Sequence, residues 1–240
     1  MTVPPCEIRG LLPRDALSDQ QRDEMFVLLS SYFEGVTRTQ FEHDLAEKNW
    51  IIEIRREGRL LGFSTLLVCD SEFEGQAITA IYSGDTIVAP EAWGSPALAR
   101  TWIAAVNHLS AAPGTRPCYW LLLTSGFRTY RFLPVFWRAF FPQYAMKTPA
   151  AAQRLLDQLA SAHYGSSYDP ATGIVRFAHP QRLRGKLGET PENRALDPHI
   201  AFFLSRNPGH RHGDELACIT EISDQNLTAA GRRMIPFRPQ

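Results

Sequence analysis

The stretch TIVAPEAWGSPALARTWI, residues 86–103, narrows what this chain can fold into more than any other. A β-branched apolar run is ended by Pro90, and a helix begins only a few residues later. Ser95 is a good N-cap, and Pro96 would occupy the first helical position, where a missing N–H costs nothing. Leu98, Trp102, Val106 and Leu109 then recur at helical spacing and mark one buried face. A strand delivered this abruptly into a buried helix predicts an α/β layer. The first turn of such a helix carries unpaired N–H groups that can face an anion.

The flanking segments fill in the layer. Ser18 followed by Asp19 reads as a helix start, with Met25, Leu28, Leu29 and Tyr32 on one face, and Thr39 as the cap of a second helix reaching Lys48. WIIEIRREGRLLGFSTLLV, Trp50 to Val68, is two β-rich runs joined at Gly58, which supplies the positive φ of a tight hairpin. A third strand runs from Ile78 to Ala89 around Ser83-Gly84-Asp85, and a glycine inside a strand predicts a bulge or a close backbone approach. CYWLLLT is a central-type strand, and SGFRTYRFLPVFWRAFFPQY is a loop and then a helix started or kinked by Pro134. Beyond Thr148, which caps an alanine-rich helix with Pro149 at its first position, GIVRF, HIAFFL and ELACITEI read as strands, and a final helix is expected over 223–233.

Composition excludes several classes. With 25 Lys plus Arg against 25 Asp plus Glu, no global field favours nucleic acid or a membrane surface. No apolar run reaches the roughly 20 residues that span a bilayer, and the first residues lack the order of a secretory signal. Cys6, Cys69, Cys118 and Cys218 are scattered without a C-x-x-C pair, which predicts free thiols in a cytoplasmic protein rather than a zinc site.

Two helices, a hairpin, a third strand, a glycine turn into a helix, another strand and another helix is an order that resembles the GNAT superfamily of N-acetyltransferase-type acyltransferases. The resemblance covers roughly Asp15 to Tyr144. It is most specific at TIVAPEAWGSPALARTWI, similar to that family's strand, V-x-P, glycine turn and helix, and at GRLLGFSTLLV, similar to its second hairpin strand. It implies a mixed, mostly antiparallel central sheet flanked by helices within a single domain 1–240, with a core at 15–147 and a C-terminal elaboration at 148–240 that completes the sheet. It also implies acyl transfer from a thioester, acyl-coenzyme A or an acyl carrier protein, to an amine or hydroxyl of a small molecule. The family's turn is Q/R-x-x-G-x-G/A; here the matching residues are Trp93, Gly94, Ser95, Pro96, Ala97 and Leu98, so only Gly94 keeps the pattern and Pro96 deletes a donor.

The resemblance assigns the thioester arm to the backbone of Thr86, Ile87 and Val88 with Gly94 and Ser95. The family's acid, a tyrosine on the helix after the fifth strand, falls near Trp137, and Tyr130 is the substitute two turns earlier. From the residues themselves, Asp85 is the candidate base, because a carboxylate inside an apolar strand must find a partner or raise its pKa. A structural hydrogen bond to a loop amide is the competing role. Tyr82 and Ser83 flank it as candidate substrate contacts. Thr124 and Arg128 follow the strand end where ligands of open α/β sheets bind. In NPGHRHGDE, His210 and His212 alternate as ligands on a strand would, with Glu215 nearby, but the second motif of a metal barrel is missing, so no metal is assigned and His210 is a candidate substrate contact. Arg182, Arg184 and Lys186 form a basic cluster suited to an acidic carrier or to solvent. Two rivals stay open: a small-molecule-binding protein on this fold, and an enzyme of different chemistry.

Overall fold

The computed structural model describes residues 7–93, 95–110 and 116–235. Strand β1 (Glu7–Pro13) leads into helix α1 (Asp19–Tyr32), the short strand β2 (Phe33–Glu34) and helix α2 (Arg38–Ala46). Then come β3 (Trp50–Arg56), β4 (Arg59–Phe73), β5 (Gln76–Val88), α3 (Ala97–Ser110) and β6 (Cys118–Thr124). Two short helices, α4 (Phe127–Tyr130) and α5 (Phe132–Phe136), precede β7 (Phe140–Phe141) and helix α6 (Ala150–Tyr164). The last third holds β8 (Tyr168–Asp169), β9 (Ile174–Val175), β10 (Arg182–Leu183), α7 (Glu192–Ala195), α8 (Pro198–Arg206), β11 (Glu215–Glu221) and α9 (Ala229–Arg232).

The central sheet runs β1-β3-β4-β5-β6-β11-β9-β8, with β7 also on β11; β2 and β10 pair separately. Every pair in it is antiparallel except β5 with β6. This is the mixed, mostly antiparallel sheet flanked by helices that the resemblance implies.

Local chemistry explains most elements. Ser18 and Gln21 close a reciprocal capping box on α1. The cap of α2 is Thr37, not Thr39, since the Thr37 side chain accepts from the Gln40 N–H. The β3–β4 hairpin turns at Glu57-Gly58, both with positive φ. A second turn of the same kind at Glu74-Gly75 joins β4 to β5 and extends both strands past the expected ends. HIAFFL is a helix rather than a strand. Asp197 accepts from the His199 and Ile200 N–H groups, Pro198 starts α8, and Ile200 and Phe203, three apart, both bury. Pro149, not Thr148, stands at the cap of α6, and the expected final helix contracts to the four residues of α9.

Alternation along the strands divides the core. Ile52, Leu66, Ile81, Trp120 and Leu216 pack under Trp102, Ile103 and Val106 of α3. On the opposite face, Ile78, Ala80, Leu121 and Ala217 meet Leu155, Leu156 and Leu159 of α6. Further along that face, Ile51, Phe63 and Ile87 meet Met25, Leu29, Phe41 and Leu45 of α1 and α2. Helices therefore cover both sides, and α2 and α6 flank the middle of one of them.

Candidate functional site

The site begins at an irregularity in β5. Against β4, Leu66 faces Ser83 and Ser64 faces Thr86, so Gly84 and Asp85 together oppose the single residue Thr65. This bulge is the one the internal glycine predicted. A side chain at Gly84 would meet the Lys48 Cε and the Thr65 Oγ1, each at 2.5 Å, so any Cβ there would displace Lys48 and Thr65.

The bulge coincides with a fork. The parallel ladder between β5 and β6 runs only from Thr79–Cys118 to Tyr82–Leu121, while both strands continue beyond it. Past the bulge, the Ala89 N–H donates to the Leu61 carbonyl, which makes Leu61–Ala89 and, two residues on, Phe63–Ile87 the hydrogen-bonded pairs. The amides of Thr86 and Val88 therefore point away from β4, into the fork. The Trp93 indole, which donates to the Val88 carbonyl at 2.8 Å, reaches it from that side. Ile87, expected to offer its backbone to a ligand, has its amide turned to β4 instead.

A cavity of about 530 Å³ fills the fork on the α3 side. Ser83, Thr86 and Val88 of β5, Ser95 to Ala99, and Gly126 to Thr129 bound it, and Trp102, Trp120, Phe132, Phe136 and Leu122 give it an apolar floor. The floor is fixed by a Trp120 indole that donates to Ser83 Oγ at 3.0 Å and by the Trp102 ring, tilted against it with ring centres 4.0 Å apart. Leu183, Leu187 and Gly188, next to the β2–β10 pair, form part of the wall. At the strand-to-helix corner the Ser95 hydroxyl accepts from the Ala97 N–H, and α3 starts at Ala97, one residue later than expected. Pro96 has no N–H, so Leu98 and Ala99 carry the remaining first-turn donors. Gly94 lies outside the described residues. Arg128 stacks 4.2 Å from the centre of the Trp93 ring and donates to the Leu187 carbonyl at 3.3 Å, tying three segments of the cavity wall. Burial lowers its pKa, and Arg194 adds to the effect.

Asp85 does not line this cavity. It faces the opposite side, near Asp44 of α2, Lys48 just after it, and Glu215 of β11. Desolvation first, and then the Asp44 carboxylate, push its pKa up to about 6, against the pull of Lys48. Glu215, at the start of β11, is raised by burial and by Asp85 to about 7. Two desolvated carboxyls thus repel each other across the fork. Tyr82 belongs to this side as well: its ring stacks 4.4 Å from His163, and burial raises its hydroxyl to about 12.

Tyr130 needs correction as the acid. It is fully buried among Phe140, Phe202 and Phe203, and its hydroxyl donates to the Pro142 carbonyl at 3.0 Å. Packing within the core holds it away from the cavity lining. Thr124 is likewise buried and exchanges hydrogen bonds with the Gly126 backbone, closing the end of β6. His210 and His212 sit in one short 3-10 turn rather than alternating on a strand. His210 alone of the two lines the cavity.

Sequence reasoning missed Glu215 as a partner of Asp85, because a pair 130 positions apart leaves no local pattern. It also missed the Trp93–Arg128 stack. The tryptophan in place of the family's leading Arg or Gln was the available signal.

No protein-family model matches the chain, and no curated protein matches it in sequence. Among solved structures it is similar to Escherichia coli ElaA, with 16% identity and a TM-score of 0.40, over 60% of this chain and 95% of that one. It is similar to an acyl-CoA N-acyltransferase from Pseudomonas aeruginosa, with 14% identity and a TM-score of 0.35, over 48% and 78%. It is also similar to a conserved protein of unknown function from Enterococcus faecalis V583, with 16% identity and a TM-score of 0.39. That match covers 52% of this chain, which spans only 30% of the Enterococcus protein. Among the described residues no helix is long and apolar enough to cross a membrane.

Proposed function

We propose that this protein is a divergent GNAT-type acyltransferase that moves an acyl group from a thioester to an amine or hydroxyl of a small molecule. The observation that carries the reading is the fork itself: β5 and β6 part after Tyr82 and Leu121, and the gap holds an apolar cavity of about 530 Å³.

Acyl transfer needs donors for the carbonyl oxygen, a base for the nucleophile and a dry place for the thioester. The Thr86 and Val88 amides supply donors on one arm of the fork. The Trp102–Trp120 floor accommodates the acyl group and excludes water. Asp85, reached from the opposite face, takes a proton from an incoming acceptor, and burial together with the Asp44 carboxylate keeps its affinity for protons above the usual carboxylate range. Donor and acceptor then meet from two sides of one sheet.

The residues present fit a phosphopantetheine arm better than a whole nucleotide. Its amides and apolar stretches match the strand edge and the floor. Among the described residues, however, the corner offers a pyrophosphate only the Leu98 and Ala99 N–H groups and Arg128. That imbalance favours an arm whose other end is held elsewhere, as on an acyl carrier protein. It also sustains the rival reading, a protein that binds such a ligand without transferring from it.

The test is to incubate the protein with acetyl-, butanoyl- and octanoyl-coenzyme A, and with octanoyl-acyl carrier protein, in the presence of primary amines. Free thiol is followed by colour and amide product by mass. Thiol release coupled to amide formation is expected. Retention of a donor in native mass spectra without turnover would establish the binding-protein reading, and neither retention nor turnover would remove both.

A further inference from the structure

His210 combines four features that the acyl-transfer reading above has not used. It lines the cavity, at the end of the fork formed by β6. The turn that carries it is anchored by Asn207, which is fully buried and donates through Nδ2 to the Asp214 carbonyl at 2.8 Å and the Thr124 carbonyl at 3.5 Å. The His210 Nδ1 lies 3.0 Å from the Asn207 carbonyl. A carbonyl only accepts, so Nδ1 carries the ring proton and Nε2 is left with a lone pair. That Nε2 is buried and has no hydrogen-bond partner among the described residues. Burying an unpaired acceptor beside an apolar cavity is destabilising. A ligand proton at that atom would relieve the cost.

We propose that His210 is the proton shuttle of this site, taking a proton from the attacking nucleophile on Nε2 and handing it to the departing thiolate. The inference rests on the acyl-transfer reading and supplies the acid that Tyr130 is too buried to be. The balance closes without another reactant. The nucleophile's lone pair forms the bond to the acyl carbon, and its proton moves to Nε2. The C–S bond breaks with its electron pair on sulfur, and the proton passes from Nε2 to that sulfur, so His210 ends neutral as it began. An amine that arrives as an ammonium ion loses its first proton to Asp85 on the other face.

The surroundings keep the ring neutral, as a base must be. Burial lowers its pKa, the Asn207 carbonyl opposes this, and Arg211 and His212 on the same turn add to the lowering. The packed neighbour β10 brings Arg182, which is paired with Glu34, and Arg128 lines the same cavity. The ring itself is held edge-on by Phe203, with ring centres 5.7 Å apart.

Two measurements test the shuttle. In the free protein, nitrogen-detected NMR of the ring should show the Nδ1–H tautomer and a pKa below the ordinary 6.5. The Nε2–H tautomer, or a pKa above that value, would overturn the proposal whatever the activity. In the thiol-release assay, His210→Ala should lower kcat by roughly 10²–10⁴-fold with little change in KM for octanoyl-coenzyme A, and should remove an acid limb from the pH profile. Added imidazole should restore part of the rate. His210→Gln, which fills the same space, guards against a folding defect and should be equally slow. Wild-type turnover with unchanged His210→Ala kinetics would overturn the shuttle while leaving acyl transfer standing; no wild-type turnover with any donor would remove both.

Discussion

The two faces of the fork are both poorly hydrated, yet they are chemically opposite. On the α3 face, aromatic and aliphatic side chains surround one histidine whose pKa is lowered. On the α2–α6 face, Asp44, Glu47 and Asp85 lie near Lys48, and Asp85 and Glu215 hold their protons far above the usual carboxylate range. Desolvation disfavours charge on either side, so it leaves a base neutral on one and acids half-protonated on the other. The comparison teaches that a single parted ladder can separate a mainly apolar compartment from one rich in carboxyls.

The largest expected effect breaks that separation at its charged end. Asp85→Asn keeps the shape of the bulge but cannot take a proton. The acyl-transfer rate should fall roughly 10²–10⁴-fold, while the affinity for octanoyl-coenzyme A, measured by calorimetry, stays within about twofold. An equal loss in donor affinity would mean that the two faces act as one compartment. An unchanged rate would return Asp85 to a structural role.

The next effect sharpens the comparison within one strand. Val88 points its N–H into the fork and Ile87 points its own to β4, so proline at the two positions should fail in different ways. Ile87→Pro deletes a ladder bond and should lower stability by about 3 kcal/mol. Val88→Pro leaves the ladder intact and should cost donor affinity about 1 kcal/mol, near fivefold, at nearly unchanged Tm. Reversed outcomes would put the free amides on the wrong residues.

Much of this arrangement was legible in the sequence, because it is written in short-range signals. Gly58 announced a hairpin, Ser18 a helix start, Gly84 a bulge, and the Pro90-to-Pro96 corner a strand handed to a helix. HIAFFL read as a strand, but Asp197 and Pro198 impose a helix start that overrides the apolar run. At the site, Asp85 was legible as an isolated carboxylate, but Glu215 was not, since their proximity depends on β11 lying beside β6. The side chain that looked right for an acid, Tyr130, was spent on packing against Phe202 and Phe203, which only the folding of α8 brings near. His210 was found as a residue to watch but for the wrong geometry, a strand that is in fact a turn.

A stability measurement probes the carboxyl-rich face without any substrate. A carboxyl whose folded-state pKa lies above its unfolded value binds its proton more tightly when folded. Its contribution is therefore fully present below the unfolded pKa and is lost as pH rises through the folded one. For Asp85 that window runs from about 4 to about 6, and for Glu215 to about 7. Asp85→Asn should thus raise stability at pH 8 by about 1–3 kcal/mol and leave it unchanged near pH 4, as read by urea midpoints at the two pH values. Destabilisation at pH 8 would mean that the ionised carboxylate is held by favourable contacts.

The smallest expected effect lies at the mouth of the α3-side cavity. Trp93 is 44% exposed, yet its indole caps the Val88 carbonyl and its face carries the Arg128 guanidinium. An exposed cation–π pair contributes about 0.5–1 kcal/mol, and the indole hydrogen bond a similar amount. Removing the pair should therefore loosen the wall without unfolding the chain. Arg128→Ala frees the Leu187 carbonyl and the Trp93 face together, so donor dissociation should quicken by about two- to fivefold, with Tm nearly constant. Trp93→Phe keeps an aromatic face but cannot donate, and should produce the smaller half of that change. If both variants slow dissociation instead, the stack obstructs the arm rather than retaining it, and the donor enters by another wall of the cavity.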